Sequence, residues 1–181
     1  MKTRAFIAIN LPLEIKKEIK KIIDELKRAG GNVKWVEPEN IHLTLHFLGW
    51  LEEEKIKEVK KILEENTKEI KSCLIEIKGL DYFPTRTSPR VIFLEGDDKN
   101  NNIRNLRAKI GEGLEAIGIE IDKRPFRLHF TLGRVKEKGF RLPQTKISTN
   151  LSFEVRSIEL MKSQLMRTGP VYSVIESFPF H

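Results

Sequence analysis

Two stretches, each an amphipathic strand carrying a His and a Thr two residues apart on its polar face, constrain this chain more than anything else in it. Ile41-His42-Leu43-Thr44-Leu45-His46-Phe47-Leu48-Gly49 sets apolar residues at 41, 43, 45 and 47 against polar ones at 42, 44 and 46. Leu128-His129-Phe130-Thr131-Leu132-Gly133-Arg134-Val135 repeats the arrangement, with Leu128, Phe130 and Leu132 on the opposite face. Residues i and i+2 of a strand share a face about 6.6 Å apart, so each copy aims a His and a Thr into one space. A lone histidine on a half-buried strand is most simply a hydrogen-bonded structural residue. A second copy in a matching strand reverses that reading.

The copies stand 87 residues apart, and the same offset carries Phe6 to Phe93, Pro12 at the first helix start to Lys99 at the third, and Gly31 to Gly118. Each half reads strand, helix, glycine stop, connector, His-x-Thr strand. The chain is therefore expected to be a diverged internal duplication, one bilobal domain over 1–181 with repeat halves near 1–88 and 89–181, and with the two His-x-Thr strands across a central cleft.

Strands are expected over 4–10, 41–49, 73–80, 90–95, 128–135, 151–159 and 171–177. A first helix starts at Asn10-Leu11-Pro12, buries Ile15, Ile19, Ile22, Ile23 and Leu26, and stops at Gly30-Gly31. A second, over about 52–70, turns Ile56, Val59, Ile62 and Leu63 inward, and a third, ending at Gly118, carries Ile103, Leu106, Ile110, Leu114 and Ile117. Residues 81–89, rich in turn formers, are expected to join the halves, and residues 167–170 to link the last two strands.

With 181 residues, 39% of them apolar, the chain can build one such core. The single Cys73 excludes an internal disulfide and, inside an apolar strand, reads as a buried thiol. No run approaches the ~20 apolar residues of a membrane span, and Met1-Lys2-Thr3-Arg4 leads straight into a strand, so a cytoplasmic protein is expected. A net charge of +7 favours an anionic partner such as nucleic acid. Many lysines nevertheless alternate with glutamates, as in Lys16-Lys17-Glu18 and Glu52-Glu53-Glu54-Lys55, and read as solvated helix faces.

In-line displacement at phosphorus needs a base behind the attacking oxygen and an acid behind the leaving one. Two facing imidazoles, whose ordinary pKa is about 6.5, fill both roles without a metal. Thr44 and Thr131, with an arginine nearby, can hold the non-bridging oxygens as charge builds. A zinc site on His42, His46 and His129 is the competing reading, but no Asp, Glu or Cys is interleaved on these strands to complete it. Neither a Gly-x-Ser-x-Gly turn nor a Gly-x-x-x-x-Gly-Lys loop is present.

The paired tetrapeptides, together with Arg4-Ala-Phe-Ile-Ala-Ile, Val33-Lys34-Trp35-Val36, Pro38-Glu39-Asn40, Phe47-Leu48-Gly49, Phe83-Pro84, Pro89-Arg90-Val91, Pro125-Phe126 and Gly169-Pro170-Val171-Tyr172, resemble the two-histidine (2H) phosphoesterases. More narrowly, they resemble the bacterial and archaeal RNA 2',3'-cyclic phosphodiesterases, also called 2'-5' RNA ligases. The resemblance implies an α+β fold with two antiparallel sheets lining a cleft and helices outside. It implies cofactor-free opening of a terminal 2',3'-cyclic phosphate on RNA to a 2'-phosphomonoester, with His42 as proton donor and His129 as proton acceptor, and 2'-5' ligation as the reverse reaction. One departure is Leu128, where relatives often have Pro before the second His.

Among the remaining residues, Arg134 follows the second motif as in the family and is expected on the phosphate, although strict alternation puts it with Phe130 and Leu132. Gly133 can permit a bulge that re-aims it. Arg127 shares parity with His129 and is the second phosphate candidate. His46, on the active face by parity, is a lining candidate, and Phe83 and Tyr172 are candidates for lining or base stacking. A monomer is expected. An RNA-binding module without turnover, and a phosphodiesterase of small cyclic nucleotides, are the alternatives.

Overall fold

The structure is a computed structural model describing residues 2–28, 30–136, 148–167 and 169–181, so Thr168, within the expected final link, lies outside the described residues. In chain order it contains β1 (Thr3–Asn10), α1 (Leu13–Arg28), β2 (Val33–Trp35), a 3-10 turn (Pro38–Asn40), β3 (His42–Leu51), α2 (Glu53–Thr67), β4 (Cys73–Thr85) and β5 (Ser88–Asp97). There follow α3 (Asn102–Ala116), β6 (His129–Val135), β7 (Ser148–Val155), β8 (Ser157–Met166) and β9 (Gly169–Pro179).

Every pairing is antiparallel, in the order β7-β4-β5-β6-β3-β1-β8-β9, with β2 added on β6. At its middle the path narrows: β3 and β6 meet at a single rung, Leu43 opposite Phe130. A five-stranded array (β7-β4-β5-β6-β2) and a four-stranded one (β3-β1-β8-β9) thus abut along the His-x-Thr strands, in keeping with the expected α+β architecture of antiparallel sheets and outer helices. The helices bury the stripes that their sequences carry: Ile15, Ile19, Ile23 and Leu26 of α1, Ile56, Val59 and Leu63 of α2, and Ile103, Leu106, Ile110 and Leu114 of α3. These merge with Ile7, Ile9, Leu43, Ile75, Ile92, Leu94 and Phe130 from the sheet into one core.

Two expectations are corrected by the strand pairing. The joint at 81–89 is a hairpin: β4 and β5 pair out to Thr85 opposite Ser88, with Tyr82 opposite Ile92 and Phe83 opposite Val91 giving it a half-buried surface. The strand at 151–159 is two strands broken at Arg156, β7 pairing with β4 and β8 with β1. Consequently the boundary near residue 88 does not divide the sheet. β4, from the first half of the sequence, lies between β5 and β7 of the second, while β8 and β9 extend the array begun by β1 and β3.

Candidate active site

Directly opposed residues of a ladder share a face, so the rung between Leu43 and Phe130, both fully buried, sends His42, Thr44, His129 and Thr131 to the other side. The register it sets puts Thr131 across from His42 and Thr44 across from His129, with the two histidines on a diagonal. Diagonal neighbours in an antiparallel pair are about 7–8 Å apart. A phosphate held between the rings would therefore have an imidazole on either side.

Both rings are held in the same way. Nδ1 of His42 lies 2.7 Å from the Asn40 carbonyl oxygen, and Nδ1 of His129 lies 2.8 Å from that of Arg127. A carbonyl oxygen can only accept, so each Nδ1 carries its hydrogen and each Nε2 is left to exchange a proton with a substrate. Aromatic walls fix the ring planes. Phe6 and Tyr172 stand at 5.0 and 5.2 Å from His42, and Phe93 and Phe83 at 5.6 and 5.4 Å from His129. Burial, above all, pushes both imidazoles below their ordinary pKa. Lys16 and His129 push His42 further in that direction, as do Arg127 and Arg134 for His129, while the carbonyl bonds oppose the shift.

The hydroxyls of Thr44 and Thr131 make no hydrogen bond to the described residues, and neither is a buried orphan. In contrast, Thr67 spends its hydroxyl on the carbonyls of Leu63 and Glu64. Two donors uncommitted among the described residues therefore share the cleft face with the two imidazoles.

Bulges decide the rest of the site. Ile7 faces His46 and Ala8 faces Thr44, so Leu45 is an extra residue on β3. Ile92 faces Gly133 and Phe93 faces Thr131, so Leu132 is extra on β6. Beyond each bulge the alternation inverts. His46 turns to the helix side with Ile7, is 3% exposed, and donates from Nε2 to the Arg107 carbonyl of α3 at 2.8 Å. It does not line the cleft, and the parity that suggested so fails at Leu45. By the same inversion Arg134, opposite Val91, joins Thr131 opposite Phe93 and His129 opposite Glu95 on the cleft face. Its guanidinium is exposed, makes no ion pair among the described residues, and acts electrostatically on both His129 and Tyr172.

Arg127 is differently committed. It donates to Asp81 Oδ2 and Glu95 Oε1, each at 2.6 Å, and lies over the rings of Phe83 and Phe93. Two carboxylates take its charge, which makes it a support for the His129 wall, not an open phosphate ligand. Phe83 and Tyr172 both line the site, one beside each histidine. Lys16, read from sequence as part of a solvated face, is instead half-buried, donates from Nζ to the Glu39 carbonyl at 2.7 Å, and acts on His42. Its nearness depends on how α1 docks, which helical periodicity does not specify. Cys73 is a buried thiol pushed up to about 11, as its apolar strand suggested. Among the described residues no three or more His, Cys, Asp and Glu side chains gather as a metal-binding group.

A family model described as LigT like Phosphoesterase matches residues 9–93 and 96–172. RNA 2',3'-cyclic phosphodiesterases of Thermotoga maritima and Methanocaldococcus jannaschii are 33% and 36% identical to the chain, over 98% and 97% of it and 95% and 99% of their own lengths. Among solved structures, TT0787 of Thermus thermophilus superposes with a TM-score of 0.86 at 29% identity, covering 98% of this chain and 97% of its own. E. coli LigT complexed with 3'-AMP gives 0.84 at 24% identity, with 99% of each chain covered, a likeness of fold.

Proposed function

The chain belongs to the LigT-like phosphoesterase family, and from that premise we propose that it hydrolyses 2',3'-cyclic phosphate ends of RNA to 2'-phosphomonoesters. The observation that carries the proposal is the twofold repetition of one device: a histidine whose Nδ1–H is tied to the carbonyl two residues before it, beside a threonine with an uncommitted hydroxyl. In this mechanism Nε2 of neutral His129 takes a proton from water as the water oxygen bonds to phosphorus. The bond from phosphorus to the 3' oxygen breaks, and Nε2–H of protonated His42 delivers its proton to that oxygen. The assignment of donor and acceptor follows the family resemblance. Thr44, Thr131 and the Arg134 guanidinium hold the non-bridging oxygens, each hydroxyl contributing on the order of 10²–10³ in rate if it behaves as a preorganised oxyanion donor. With a 5' hydroxyl attacking in place of water, the same steps give a 2'-5' linkage.

The enzyme needs no cofactor in this reading and works as a cytoplasmic monomer; its unpaired, buried Cys73 suits a reducing compartment. No helix among the described residues is long and apolar enough to cross a membrane. The test is product analysis on an oligonucleotide ending in a 2',3'-cyclic phosphate. Wild type should give the 2'-phosphate in excess EDTA, and His42→Ala and His129→Ala should each lose at least about 10²-fold in rate with unchanged circular dichroism. Full activity in either variant, a 3'-phosphate product, or loss of turnover in EDTA would each overturn it.

A further inference from the structure

Phe47 and Trp50 are 69% and 64% exposed, an unusual state for two large rings so close together on one strand. In the ladder of β1 and β3, Phe47 lies opposite Phe6 and Trp50 opposite Arg4. Phe6 and Arg4 are two apart on β1 and share a face. A second bulge, at Leu48, puts Phe47 and Trp50 on that face too, although they are three residues apart. This is the face of the active cleft. The Phe6 ring stands 5.0 Å from His42 and 6.4 Å from Phe47, so the rings run continuously from the catalytic imidazole outward.

The row is also cationic. Arg4 makes no ion pair among the described residues, and its charge reaches Tyr172, which itself stands against His42. The acidic side chain next along the chain, Glu52, faces Lys2 at 3.7 Å. Open aromatic faces that lead away from a reactive phosphate site, with an arginine beside the outer one, form the combination that holds single-stranded nucleic acid: bases stack, and the backbone phosphates meet the cation.

Building on the cyclic-phosphate chemistry above, we infer that Phe47, Trp50 and Arg4 form a platform for the nucleotides immediately preceding the terminal cyclic phosphate of a single-stranded RNA. The platform makes the enzyme select oligonucleotides over mononucleotides. It does not take part in the chemical step.

The test compares kcat/KM on a hexanucleotide ending in a 2',3'-cyclic phosphate with that on cytidine 2',3'-cyclic phosphate. For Phe47→Ala/Trp50→Ala the ratio of the two should fall by about ten-fold or more, since base stacking of this kind is worth about 1–3 kcal/mol per base. Trp50→Phe, which keeps a ring, should retain most of the ratio, and Arg4→Gln should lessen the salt dependence of oligonucleotide binding by about 0.7 in the log–log slope. An unchanged ratio in the double alanine variant overturns the platform, as does a concentration-dependent dimer in sedimentation that the double variant abolishes without altering the ratio. The chemistry and the platform fail separately. If wild type hydrolyses neither substrate, quenching of tryptophan fluorescence by single-stranded RNA, lost in Trp50→Ala, still supports the platform, and no quenching overturns it.

Discussion

In the proposed mechanism His42 and His129 enter the reaction in opposite protonation states, yet burial lowers both pKa values from 6.5. In the free enzyme the acid is then the scarce form at neutral pH. A pH profile of kcat/KM on a cyclic-phosphate oligonucleotide should therefore be bell-shaped with its maximum on the acid side of 6.5. The same shifts, with that of His46, bear on stability. Just below 6.5 the unfolded chain binds protons that the folded one refuses, so stability is fully present above 6.5 and is lost as the pH falls through the folded-state values. The melting temperature should decline from pH 7 to 5.5, before carboxylates such as Glu76, held at about 2 by Lys78 and Lys99, begin to matter. The residue types of this chemistry were legible in the sequence because the motif itself is the chemistry. The carbonyl bonds that select Nε2 were not, because Asn40 and Arg127 supply them through backbone atoms that every residue has.

Two bulged strands, more than two strands, make the site. Each extra leucine leaves a carbonyl out of the ladder, and each is met from outside: Leu45 accepts from Arg107 Nε at 3.1 Å, and Leu132 from the Val36 N–H at 2.8 Å. Arg107→Met should lower activity without the residue touching substrate, and should cost about 1.5–3 kcal/mol in urea denaturation, the range for a hydrogen bond from a charged group. Gly133 is the complementary case. A β-carbon there would come within 2.7 Å of Val33 Cγ1 and 2.9 Å of Trp35 Cε3. Gly133→Ala should push β2 off β6 and cost about 1–3 kcal/mol, with a fall in kcat/KM as Arg134 is displaced. Periodicity reads a bulged strand as a regular one, which is why counting puts His46 on the wrong face. Gly133 at the matching position of the second repeat was the sequence's hint that the two histidines of β3 are not equivalent.

At the scale of the molecule, the 87-residue offset suggested a duplication but gave no sign of how strands from the two halves of the sequence interleave in the sheet. Alternation tells a strand which face to bury but not which neighbour completes its edge. A fragment of residues 1–88 holds β4 without β5 or β7, and β1 without β8. Expressed alone, that fragment should show little amide protection in hydrogen exchange, and mixing it with residues 89–181 should restore protection and activity together; an independently folded fragment would contradict this topology. The pairing of β1 with β8 also has a bearing on time. Asn10 donates its N–H to Glu159, 149 residues away, on the strand edge beside His42. Contacts so distant in sequence form slowly, because the loop must close before the contact rewards it. Helices should therefore recover early in refolding and catalysis late, leaving an interval in which the chain has most of its ellipticity and none of its turnover.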